Sequence, residues 1–97
     1  MKIVDSVDAL LSQVDAVMIM SVDGRAHREQ AQAVILAGKP LYIGRPMVAK
    51  LEDAIAIFAL AKEKNVPVFS CSPHRYSPGF IGMKNHEEVG DVIGCGV

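Results

Sequence analysis

Three short apolar runs constrain this chain more than any other feature. They are Ala16 to Met20 (AVMIM), the PLYI of Pro40 to Ile43, and the VPVF of Val66 to Phe69. Runs of this length are too short for a core helix and fit strands buried on both faces, as in a parallel sheet. Between them lie stretches with helical spacing, long enough for a crossover. Strand and helix therefore alternate. The pattern predicts an α/β chain, a β-α-β-α-β-α-β run with a short parallel sheet and helices packed on both of its faces.

The remaining elements follow from local chemistry. Lys2–Val4 reads as a short opening strand. Asp5 or Ser6 then caps a helix with Val7, Leu10, Leu11 and Val14 at helical spacing. A second helix spans about Ala26 to Ala37, with Ala31, Val34 and Ile35 on one face and Gly38 at its carboxyl cap. Pro46 occupies the first position of a third helix that runs to about Lys64. Its stripe holds Leu51, Ala54, Ile55 and Phe58, widened by Ile57 and Leu60, and Asn65 ends it. KPLYI at Lys39 and VPVFS at Val66 start 27 residues apart and share the order Pro, apolar, aromatic, a repeated strand–helix unit. After Ser72 periodicity stops. SPHRYSPGFIGMKNHEEVG reads as a loop, and EVGDVIGCGV starts one more strand. Residues 1–72 are thus expected to form the α/β unit, and 73–97 a loop and the start of a following strand or domain.

Composition narrows the function classes. The chain has 97 residues, 51% of them hydrophobic, with a formal net charge of −1. Ten basic residues against 11 acidic ones, with no basic run, give no electrostatic footprint for nucleic acid. No apolar stretch approaches the ~18 residues of a spanning helix, and acids interrupt the amino terminus before a signal-type apolar region forms. A cytoplasmic protein is expected. Cys71 and Cys95 lie far apart and in no motif, which fits small core residues in a reducing compartment. So apolar a chain, with so little volume to bury it, is also expected to cover some of that surface with a partner.

The chemistry-bearing residues cluster at predicted strand ends. There is no G-x-G-x-x-G, no P-loop, no C-x-x-C, no H-E-x-x-H and no G-x-S-x-G. Asp23 and Arg25 fit turn chemistry and a solvated charge. Arg45 lies between a strand end and a helix start, where a cation and backbone N–H groups can hold an anion. His27, in the first turn of a helix, lines the strand-end crevice, hydrogen-bonds a loop there, or plays a surface or capping role. His74 and His86, 12 residues apart across a glycine-rich loop with Glu87 and Glu88 nearby, lack the tight spacing of a metal site. Tyr42 and Phe69 are expected in the core, and Tyr76 either covers a crevice or packs its loop onto the sheet.

Taken in order, DSVDALLSQVDAVMIMSVDGRAH, EQAQAVILAGKPLYIGRP and LEDAIAIFALAKEKNVPVFSCSPHRYSPG resemble the Gfo/Idh/MocA family of NAD(P)-dependent sugar and polyol oxidoreductases. The shared features are an Asp-Ala-Val strand, a His a few residues past it, an Ala-Gly-Lys before the next strand and a corner ending in Pro. The resemblance covers about residues 5 to 97. It implies the second half of a Rossmann domain, with the glycine-rich phosphate turn and the acidic ribose-binding residue belonging to sequence ahead of Met1. It further implies that Ser21, Val22 and His27 lie beside the ribose and nicotinamide of NAD(P). Gly44, Arg45 and Pro46 then match the family's acidic-Lys-Pro corner, and His74 to Tyr76 the substrate side. This sequence departs from the corner at two places, Gly44 for the acid and Arg45 for the Lys. Arg45 therefore stands where the family keeps a catalytic Lys, but an arginine stays protonated and serves poorly as a proton shuttle.

The resemblance carries two expectations. As a Gfo/Idh/MocA-like oxidoreductase fragment, the chain alone is expected to be catalytically inactive and to bind little or no NAD(P), because the phosphate turn is absent. As a non-catalytic half-domain, engineered or truncated, it is expected to self-assemble. In either case the Asp15–Ser21 strand would present an open edge, so a homodimer or higher oligomer is expected.

Overall fold

In the computed structural model, residues 2–83, 86–94 and 96 are described. Cys95 lies outside the described residues. The elements are α1 (Val7–Leu11), β1 (Val17–Ile19), α2 (His27–Leu36), β2 (Leu41–Ile43), α3 (Leu51–Lys64) and β3 (Val68–Phe69), followed by a 3₁₀ turn (Pro73–Tyr76) and α4 (Pro78–Met83). The three strands form one parallel sheet in the order β1-β2-β3. The expected α/β alternation is present. The expected strand at Lys2–Val4 is not, and the described residues of the tail form no strand. A strand needs a pairing partner, and neither segment reaches one.

The sheet register explains where the core lies. Val17 pairs with Leu41 and Leu41 with Val68, while Met18 pairs with Tyr42 and Tyr42 with Phe69. Side chains alternate along a strand, so Val17, Ile19, Leu41 and Ile43 share one face. All four are buried, against Ala31, Val34 and Ile35 of α2 and Ile57 and Ala61 of α3, with Leu11 and Val66 closing the cluster. The opposite face carries Met18, Met20, Tyr42 and Phe69. Met18 is 65% exposed, Met20 63% and Phe69 53%. The strands are therefore covered on one face and not on both, and Phe69 is not a core residue. Tyr42 is half-buried, and its ring lies 5.4 Å from that of Phe69. The physical reason is crossover handedness. Two successive crossovers of one hand, in a sheet that grows in one direction, place both helices on one side. Accordingly α2 and α3 pack on each other and leave the far face bare.

The caps behave as the sequence predicts. The Ser6 hydroxyl accepts from the Ala9 N–H at 3.1 Å, Gly38 takes a φ of 71°, and Asn65 ends α3 in the left-handed region at 54°. After Gly38, the Lys39 N–H returns to the Val34 carbonyl at 3.2 Å. Two expectations for α3 are corrected. It begins at Leu51 rather than Pro46. Its buried residues are Ile57 and Ala61, while Leu51, Ile55 and Phe58 are exposed. At 100° per residue those three lie on the opposite side of the helix from Ile57. The helix is apolar on two faces, and α2 can cover only one.

Candidate functional site at the strand ends

The carboxyl ends of β1, β2 and β3 bring the predicted residues to one edge of the sheet, where ligands of open α/β sheets bind. The loop after β1 holds Ser21, Val22, Asp23, Gly24 and Arg25. The loop after β2 holds Gly44, Arg45, Pro46 and Met47. The two loops touch closely. The Gly44 N–H donates to the Ile19 carbonyl at 2.8 Å. A Cβ at Gly44 would lie 3.2 Å from that oxygen and from the Met20 Sδ. Gly44 is thus fixed by crowding rather than by a turn that only glycine can make. Pro46 opens no helix; it sits in the turn between β2 and α3, beside Gly24.

His27 is fully buried, so the expectation of a surface or capping role is corrected. Its Nε2 lies 2.8 Å from the Ser21 carbonyl and its Nδ1 2.9 Å from the Met47 carbonyl, one on each loop. Both ring nitrogens are occupied by backbone, so the side chain supports the two loops instead of facing the crevice. The Ser21 hydroxyl donates to Gln30 Oε1 at 2.8 Å, which ties the β1 end to α2. Val22 is 88% exposed in the loop after β1.

Arg45 is exposed, and its Nη1 donates to the Ser72 hydroxyl at 3.3 Å, joining the ends of β2 and β3. That hydroxyl also accepts from the His74 N–H and caps the 3₁₀ turn. Ser72, His74, Arg75, Phe80 and Ile81 line a concavity on this side, and the His74 and Phe80 rings meet at 5.1 Å, tilted by 39°. Residues 73–83 are therefore folded rather than an extended loop. Among the described residues neither Arg45 nor Arg75 has a carboxylate within 4.0 Å. Both guanidiniums are available to an anionic group. Tyr76 is 64% exposed, and the His86 Nδ1 accepts from the nearby Glu88 N–H.

Asp23 behaves differently. Arg25 donates to it from Nε at 2.9 Å and from Nη2 at 2.6 Å. Hydrogen bonds from the Arg25 side chain, then from its backbone N–H, lower the Asp23 pKa to about 2. In return the carboxylate raises that of Arg25. The pair is internally satisfied and closes the turn. Three contributors were not legible as such in the sequence: Gly24 as a packing residue, Met47 as the carbonyl acceptor beside His27 Nδ1, and Ser72 as the partner of Arg45. The only signal for Ser72 is the Ser-Pro pair, which favours a capping hydroxyl.

Residues 1–71 match the family described as the oxidoreductase family with an NAD-binding Rossmann fold. Inositol 2-dehydrogenase of Paracoccus denitrificans is 30% identical over 97% of this chain and 28% of its own length. A crystal structure of an NAD-binding protein from Listeria innocua superposes with a TM-score of 0.78 at 32% identity, over 86% of this chain and 25% of that one. The UDP-N-acetylglucosamine 3-dehydrogenase of Acidithiobacillus ferrooxidans gives a TM-score of 0.73 at 30% identity, over 81% of this chain and 26% of that one. The chain thus spans about a quarter of the length of these relatives. The three-stranded parallel sheet, the strand-end cluster and the match over residues 1–71 together make this chain a member of the Gfo/Idh/MocA oxidoreductase family, spanning part of its NAD-binding Rossmann fold.

Proposed function

We propose that the chain forms the part of a nucleotide-binding domain that lies beside the nicotinamide end of NAD(P), in an enzyme that oxidises or reduces a carbinol carbon of a sugar or polyol. The observation that carries this is the gathering of Ser21, Val22, Gly44 and Arg45 at the strand ends of a chain whose residues 1–71 match an NAD-binding family. The similarity to an inositol dehydrogenase and to a UDP-N-acetylglucosamine dehydrogenase supports the substrate class. Bound NAD(P) would supply the hydride acceptor or donor. The chain's own residues fit one end of that cofactor. Val22 is exposed in the loop after β1, Gly44 holds that loop and the β2 end together through its N–H to the Ile19 carbonyl, and Arg45 offers a fixed positive charge. The guanidinium remains protonated at any working pH, so Arg45 orients an anionic or carbonyl oxygen and does not relay a proton. No glycine-rich strand-to-helix turn occurs in the sequence to hold the pyrophosphate, so the chain by itself binds the cofactor weakly and turns over no substrate.

The test is a titration of the isotopically labelled chain with NADH, followed by NMR. Amide shifts are expected at Ser21, Val22, Gly44 and Arg45, with an affinity weaker than about 1 mM. Absence of shifts at those residues at high NADH would refute the cofactor-lining role. Tight binding would refute the weak cofactor affinity.

The bare sheet face favours a second reading, in which the chain assembles with itself. Val17 and Ile19 provide the backbone groups that pair with β2, through the Val17 N–H to the Pro40 carbonyl at 2.9 Å and the Ile19 carbonyl to Gly44. In a parallel ladder the groups of the intervening residue point the other way. Met18 therefore presents its N–H and C=O at the outer edge of β1, next to its exposed side chain. An edge of this kind pairs with another strand. Sedimentation at micromolar concentration distinguishes the readings: a stable monomer would exclude self-assembly.

A further inference from the structure

His27 is the one buried polar or charged side chain among the described residues, with no exposed surface. Both of its partners are backbone carbonyl oxygens, Ser21 at 2.8 Å from Nε2 and Met47 at 2.9 Å from Nδ1. A carbonyl oxygen only accepts, and a ring with one proton donates only once. With a single proton, one bare nitrogen would direct its lone pair at a carbonyl oxygen at hydrogen-bonding distance. In a dry site such a pair repels and leaves an acceptor unsatisfied. No water or hydroxyl stands between ring and backbone at these separations.

We propose that His27 carries a proton on both ring nitrogens in the folded chain at neutral pH, and that this buried imidazolium ties the loop after β1 to the loop after β2. His27 is then a positioning residue. It touches neither cofactor nor substrate, and it sets how Ser21 and the Gly44–Met47 corner stand relative to each other. The inference rests on hydrogen-bond geometry alone and holds whatever the chain binds.

The surrounding charges bear on it in both directions. His27 opens α2, and the N–H-rich end of a helix disfavours a cation. Against this stand two carbonyl dipoles aimed at the ring and the Asp23 carboxylate in the preceding loop, on which a positive His27 exerts a minor attraction beside that of Arg25. The other charged groups on the elements around the ring are Arg28 and Glu29 on α2, Asp53 on α3, and Arg45 and Lys50 in the loop between β2 and α3. Arg28 is paired with Asp53 at 2.9 Å and Lys50 with Glu52 at 3.3 Å, so neither is left as a free cation beside the ring.

The direct test is ring-¹⁵N NMR of the histidine-labelled chain near neutral pH, with signals assigned through His74→Gln and His86→Gln. Two protonated-type nitrogens are expected for His27, both with N–H protons shielded from solvent exchange. One protonated and one bare nitrogen would overturn the proposal. A second test compares denaturant midpoints of the native chain and His27→Gln. If the folded chain holds one more proton on this ring than the unfolded chain, its advantage over the variant is present at low pH and is lost as pH rises. The gap in midpoint is expected to shrink as pH rises above the ordinary imidazole range, about 6.5; a constant or widening gap would overturn it. Should His27→Gln fail to fold, the ring nitrogens of the native chain decide the matter by themselves.

Discussion

Gly24 and Val48 are packed so tightly that no side chain fits between them. A Cβ at position 24 would lie 2.9 Å from the Val48 carbonyl carbon and 3.1 Å from the Ala49 nitrogen. Both are backbone atoms, which cannot swing aside as a side-chain tip can. The loop after β1 is therefore pressed onto the loop after β2, at the same place where His27 bridges them.

Gly24→Ala is expected to force these loops apart. The cost should be about 1–3 kcal/mol, the range for overpacking a well-filled site. Urea unfolding of the variant measures it. A loss below about 0.5 kcal/mol, typical of an unconstrained surface site, would show that the two loops yield easily.

Ile57 and Ile55 test which face of α3 is buried. Ile57 is 2% exposed and Ile55 62%. Ile57→Ala should cost about 2–5 kcal/mol, since it opens a cavity against α2. Ile55→Ala should change stability by no more than about 0.5 kcal/mol. Equal losses would mean that the outer stripe of α3 is covered in solution.

Asp23 gives a pH prediction with a definite sign. Its carboxyl titrates at about 2 in the folded chain because Arg25 hydrogen-bonds the charged form. A lowered carboxyl adds stability above the unfolded value, about 3.9, and that contribution disappears as pH falls through about 2. Carbon-detected NMR of the carboxyl should show the low midpoint, and Arg25→Ala should return it to the ordinary range. Because the pair is exposed, the accompanying change in overall stability should be small.

Met18→Lys should weaken any self-association. It places a charge at the free edge of β1 and on the bare sheet face, a device by which natural edges are blunted. Sedimentation velocity of the two chains at equal concentration makes the comparison. Equal sedimentation as oligomers would move the interface elsewhere, with the exposed Leu51, Ile55 and Phe58 side of α3 as the alternative surface.

Much of the fold is written locally. The Ser6 hydroxyl, Gly38 and Asn65 mark helix ends because each satisfies orphan backbone groups within a few residues. The three apolar runs mark strands because their length excludes helices. The site is legible only in part. Gly44, Arg45 and Ser21 can be placed at strand ends from the sequence, whereas the Arg45–Ser72 and His27–Met47 contacts span 27 and 20 residues and depend on how strands align.

That strands and helices alternate, that the strands run parallel and that the polar residues collect at their carboxyl ends can be read along the chain. Period and crossover length decide these things locally. Which apolar residues are buried is settled by packing in three dimensions. Met18, Phe69, Ile55 and Phe58 are as apolar as Ile19, Leu41 and Ile57, yet they stand in solvent. Hydrophobicity fixes what a side chain would gain by burial; whether it is buried depends on which face the packed helices reach. The same holds for His27, whose position in a first helical turn leaves crevice, loop contact and surface all open until Ser21 and Met47 close on both sides of its ring.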